Sequence, residues 1–117
     1  MGEFALRERE VAPDMREVQV SGELDLAVAG RLAERLEQLG RESVAILLSL
    51  EHCEFIDSTG ISVIVHAHQE ASRNGGGVAV YGASHQVARV LALTGLDENG
   101  LVFESAARAR AAFRVGS

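Results

Sequence analysis

The chain has 117 residues, of which 47% are hydrophobic, 24% charged and 4% aromatic, with no Trp and a formal charge of -6. This is the composition of one globular domain with an aliphatic core, and it argues against disorder except at the ends. Without a cluster of basic residues and interleaved aromatics it also lacks the electrostatic footprint of a nucleic-acid binder.

The single Cys53 excludes an intrachain disulfide and a cysteine-rich zinc site. The longest clean apolar run, "VAILL" at 44–48, is far short of a membrane span, and no signal peptide or myristoylation pattern is read at the start. The expectation is a soluble, cytoplasmic protein without membrane insertion. One domain is expected over 1–117, with flexible ends at 1–3 and 115–117.

In chain order, "FALREREV" at 4–11 is a weak strand candidate. "APD" at 12–14 supplies turn residues before a better strand, "MREVQVSG" at 15–22, where Val18 and Val20 alternate with polar neighbours. The two should pair antiparallel. Asp25 is placed to N-cap a helix carrying Ala29, Leu32, Ala33, Leu36 and Leu39 at helical spacing, with Gly40 ending it. "SVAILLSL" at 43–50 has no alternation and suits a central strand covered on both faces, which "EHCE" at 51–54 would leave as a loop.

Beyond "FIDSTGIS" at 55–62, the segment 61–73 places Ile61, Ile64, Val65, His68 and Ala71 on one helical face, and "NGGG" at 74–77 stops it. "VAVYG" at 78–82 is a short strand. Ser84 can cap a helix containing Val87, Val90, Leu91 and Leu93, with Gly95 just past its end. A strand "LVF" at 101–103 and an alanine-rich helix at 105–113 complete the chain. The fold class is therefore α/β: a mixed, mostly parallel sheet with an antiparallel N-terminal edge hairpin and four helices.

Asp57, Ser58 and four histidines invite a small hydrolase using Ser58, but a nucleophile elbow needs glycine where Ile56 stands. His66 and His68 diverge by about 200° on one helix and cannot share a metal. His68 falls on the apolar stripe, as a satisfied boundary histidine would, and His66 and His85 read as solvated. "EHCE" lacks a second ligand cluster at metal spacing. "GGG" at 75–77 lacks the Lys and Ser or Thr of a phosphate loop. No catalytic residue, cofactor or metal is assigned, and the chain is read as a non-enzyme.

At the start of the central helix, Asp57 or Ser58 is an ordinary N-cap. Helical geometry also aligns Ser58, Ser62, His66, Gln69 and Arg73 opposite the apolar stripe, so Ser58 heads a solvent-facing strip. A phosphoryl group on Ser58 would meet the unpaired N–H groups and dipole of a helix N-terminus, which favour an anion. It would add about two negative charges to a nearly neutral strip. Tolerated within and repelled without, such a charge is a workable binding switch. Gly60 falls in the first turn although glycine disfavours helix, and its missing side chain is expected to serve close approach by a partner.

"SGELD" at 21–25, "FIDSTGI" at 55–61 and "GASHQVARVLALTGL" at 82–96, in this order of strands and helices, resemble the STAS domain, specifically the bacterial anti-sigma factor antagonists. The resemblance implies that Ser58 is phosphorylated by an anti-sigma factor that is an ATP-dependent serine kinase. The unphosphorylated form would bind that kinase and free a sigma factor, and a phosphatase would reset the phosphorylated form. It places Asp25, Asp57 and Thr59 at the phosphoacceptor loop, and the polar strip through Ser62 and His66, with Gly60 in the first turn, is then the expected docking surface. Two departures stand out. Ser49-Leu50 replaces a common Asp-Leu, which should remove a carboxylate from the site's neighbourhood, and Thr59 stands where a second serine is common and retains a hydroxyl. STAS domains also serve as accessory or scaffold subunits of membrane transport and stress-sensing complexes, the alternative reading.

Overall fold

The structure is a computed structural model that describes residues 3–42, 44–95 and 101–113. The expectation of flexible ends therefore falls, apart from Glu3, outside the described residues. Five strands and four helices alternate as β1 (Ala5–Ala12), β2 (Met15–Leu24), α1 (Ala29–Arg41), β3 (Ala45–Ile56), α2 (Ser58–Arg73), β4 (Gly77–Tyr81), α3 (His85–Leu93), β5 (Val102–Phe103) and α4 (Ala106–Ala112). The strands lie side by side in chain order, β1 antiparallel to β2 and the rest parallel. This is the expected fold class.

Two apolar layers cover the sheet. On one face Leu32, Leu36 and Leu39 of α1, Ile61 and Ile64 of α2 and Val87 and Leu91 of α3 close over Val18, Val20, Ile46, Leu48 and Val80. On the other, Ala109 of α4 packs on Leu47, Ala79, Tyr81 and Met15. Burial on both faces is why β3 begins as an unbroken aliphatic run.

Three local expectations need correction. β3 does not end at Leu50 but runs through "EHCEFI" to Ile56. Its register against β2 slips twice, between Gln19 and Ser21 and between Gly22 and Glu23, each time with an extra residue in β3. Inward positions therefore change from every second residue (Ile46, Leu48, Leu50) to every third (Cys53, Ile56), and the segment no longer reads as a strand. Gly22, between the slips, takes a positive φ of 85°. Asp25 does not cap α1, because a full turn intervenes: its carbonyl accepts from Val28 and Ala29 N–H and its Oδ1 from Ala27 N–H. Gly40 lies inside α1, buried against Ala71 of α2, and the helix ends one residue later. The helix expected from Ser84 is present as α3, with Leu93 at its end pointing away from the core.

His68 is the boundary residue its position suggested. Its Nδ1 accepts the Val78 N–H at 3.0 Å, tying α2 to β4, which requires the neutral imidazole protonated on Nε2. Burial lowers its pKa below the ordinary value. A depressed folded value means that the unfolded chain takes up the proton first as pH falls. The contribution is intact above about pH 6.5 and is lost progressively as pH drops through the folded value. The urea midpoint of the wild type should fall over that range more steeply than that of His68→Gln, and parallel pH profiles would contradict this.

Candidate functional site

The site is a corner where the β2–α1 loop meets the start of α2. Ile56 ends β3 in the core, Asp57 is extended (φ -109°, ψ -177°) and Ser58 begins the helix. Asp57 is the N-cap: its Oδ1 accepts the Thr59 and Gly60 N–H groups at 3.0 Å each, and its carbonyl accepts the Ile61 N–H at 3.1 Å. Its other carboxylate oxygen, Oδ2, accepts the Leu26 N–H at 3.1 Å, and its own N–H donates to the Leu24 carbonyl at 3.2 Å. One side chain thus fixes the first turn of α2 and pins the preceding loop to it.

Ser58 is exposed at the first helical position, and Ser62, His66, Gln69 and Arg73 follow it along an exposed strip. The structure brings Asp25 and Asp57 to the same corner, with Thr59 partly buried in the turn. The anion argument needs correction. The Thr59 and Gly60 amides that were to receive a phosphoryl group already bond the Asp57 carboxylate, so a phosphate on Ser58 would stand beside an existing negative charge. The helix dipole still favours it.

Gly60 also differs from expectation. It is buried, and a Cβ there would lie 2.8 Å from Leu24 Cγ and 3.0 Å from Ile56 Cγ1. The missing side chain admits the domain's own core, not a partner. Ser49 is likewise misplaced by the sequence reading. It is buried on the α4 face, its Oγ 3.4 Å from both the amide and Oε1 of Glu51. Seven residues of β3, roughly 20 Å of strand, separate it from the end of β3. Nearby, buried Glu17 accepts the Tyr81 hydroxyl at 2.6 Å and an Arg9 N–H at 3.2 Å. Burial first, then the bond to Glu17, pushes the Tyr81 phenol up to about 12. A carboxylate at position 49 would join this acidic neighbourhood and not the Ser58 corner.

The remaining candidates disperse. In "EHCE", Cys53 turns into the core, its Sγ 3.3 Å from the Phe55 carbonyl, while Glu51, His52 and Glu54 face outward. Burial raises the Cys53 pKa, which suits an inert thiol. His68 is engaged with Val78, far along α2 from Ser58.

The sequence reading missed Leu26 and Phe55, two exposed large apolar side chains beside this corner. Leu26 left no trace: it lies two residues past Leu24, in step with β2, and three before Ala29, in step with α1, so periodicity alone reads it as buried.

A family profile described as the STAS domain matches residues 7–109. The chain belongs to the STAS domain family, among the anti-sigma factor antagonists. It is 30% identical over 83 residues to the anti-sigma-B factor antagonist of Staphylococcus aureus, covering 70% of this chain and 77% of that one. An anti-sigma factor antagonist from Mycobacterium paratuberculosis superposes with a TM-score of 0.84 at 24% identity, over 96% and 95% of the two chains. SpoIIAA, a Bacillus cell fate determinant, shares the fold in its unphosphorylated form (TM-score 0.79, 20% identity, 95% and 96% covered) and in its phosphorylated form (0.71, 18%, 95% and 99%).

Gly60→Ala should destabilise the domain by about 1–3 kcal/mol, the range for overpacking a filled core. Chemical denaturation checks this, and an unchanged midpoint would show that Leu24 and Ile56 yield without cost.

Proposed function

We propose that this chain is an anti-sigma factor antagonist that switches partners through Ser58. Its unphosphorylated form binds an anti-sigma factor that is a serine kinase, so that a sigma factor is released. In the switching step Ser58 Oγ attacks the γ-phosphorus of ATP held by the kinase. The new O–P bond replaces the bond to ADP, and the hydroxyl proton passes to a base on the kinase. A phosphatase restores the hydroxyl by hydrolysis.

The observation that carries this reading is the setting of Ser58: an exposed hydroxyl at the first position of α2, on a turn that Asp57 fixes through three N–H bonds. The backbone that carries the hydroxyl is thus placed before the partner arrives, which lowers the cost of positioning it for transfer. The exposed strip through Ser62 and His66 is the proposed docking surface, with Asp25 and Thr59 at its head. The name of the Staphylococcus relative and the two solved forms of SpoIIAA support the assignment. The phosphoryl group acts by adding about two charges beside Asp57 at the contact surface. No helix among the described residues is long and apolar enough to cross a membrane. The proposed setting is the cytoplasm, and the proposed role of the chain is binding without catalysis of its own.

Purified chain incubated with an anti-sigma factor kinase and ATP should gain one phosphate on Ser58, located by mass spectrometry. Ser58→Ala should keep its fold, gain none and bind the kinase constitutively. Ser58→Asp should weaken binding incompletely, since a carboxylate carries one charge and a phosphate about two. Phosphate mainly on Thr59 or elsewhere would overturn the assignment. Co-purification with a membrane transport ATPase in place of a kinase would overturn the function.

A further inference from the structure

The described residues leave three large apolar side chains exposed: Leu26 at 74%, Phe55 at 41% and Leu93 at 85%. Two of the three sit in the segments that Asp57 joins. Leu26 is one residue from Asp25 and donates its N–H to Asp57, while Phe55 pairs in register with Glu23 two residues before Asp57. Leu24 is fully buried and Val28 packs on the core, so the loop is anchored on both sides of Leu26 and holds that side chain out in solvent. An apolar group fixed in this way binds without first losing much backbone freedom.

The surroundings define what would cover it. Residues 23–28 and 55–59 carry three carboxylates, Glu23, Asp25 and Asp57, and no basic residue. An apolar centre with a single-sign charged rim fits a partner with an apolar pocket edged by the opposite charge. Leu93 has a different setting, on α3 among His85, Gln86, Arg89 and Val90.

We propose that Leu26 is an apolar anchor that enters a pocket on the anti-sigma factor rimmed by Arg or Lys. This rests on the partner-binding reading above and specifies the chemistry of the partner's surface. The rim carboxylates steer encounter and the leucine supplies the buried contact. Ser58 itself faces the nucleotide phosphates of the kinase, so a phosphoryl group there meets like charge and its bulk holds the leucine out of the pocket.

The probe is a purified anti-sigma factor kinase, loaded with ADP and chosen because it binds the wild-type chain. Leu26→Ser should raise Kd roughly tenfold or more with an unchanged Tm. The substitution leaves the Leu26 N–H bond to Asp57 in place, because the backbone makes it. Leu26→Met should retain affinity within about threefold, and Leu93→Ser should bind as the wild type does. Added salt should slow association with the wild type. A kinase that binds wild type and Leu26→Ser equally, equal losses in Leu26→Ser and Leu93→Ser, or salt-independent association would overturn the anchor while leaving the partner-switching function standing. Failure to find any anti-sigma factor kinase that binds the wild type would overturn both.

Discussion

The corner depends on how one carboxylate divides its two oxygens. Asp57 Oδ1 takes two amides of the first turn of α2, and Oδ2 takes the Leu26 amide from a loop 31 residues away in sequence. A capping side chain is typically worth about 1 kcal/mol, and bonds to a charged acceptor about 1.5–3 kcal/mol. Against a total domain stability of about 5–15 kcal/mol, this is a large share for one side chain. Its functional effect is geometric. Ser58, the strip below it and the acidic loop become parts of one surface because Asp57 holds them together.

What brings Asp57 to that loop is the irregular half of β3. The two register slips against β2 let the strand gain two residues on its neighbour while still burying Cys53 and Ile56. β2 and β3 then finish together, with Leu24 beside Ile56, and the Asp57 amide meets the Leu24 carbonyl. Gly60 completes the junction. Leu24 and Ile56 fill the space a side chain would need, so the first turn of α2 sits directly on the ends of both strands.

Regular periodicity is what made much of this legible in the sequence. The 3.6-residue spacing gave the buried face of α2 and, opposite it, the strip from Ser58 to Arg73, and the aliphatic run of β3 announced a strand covered on both sides. The misses occur where period fails or where contact is remote. "EHCEFI" hides a strand because its bulges impose a three-residue spacing. The role of Gly60 depended on Leu24 and Ile56 across the corner, about which local propensity carries no information, while Asp25 caps a turn that precedes α1, a local alternative to the helix cap that its residue type equally favours. Ser49 illustrates the same limit in reverse. The family pattern pointed to the Ser58 corner, but strand parity and distance place it with Glu17, Glu51 and Tyr81 on the opposite face.

The division of labour at Asp57 is open to direct observation through amide hydrogen exchange resolved by residue. In the wild type the amides of Leu26, Thr59 and Gly60 should all be protected. In Asp57→Ala all three should lose protection together, while amides in the middle of β3 keep theirs. A Leu26 amide that exchanges freely in the wild type, or stays protected when Thr59 and Gly60 do not, would contradict the claim that one carboxylate holds the loop to the helix.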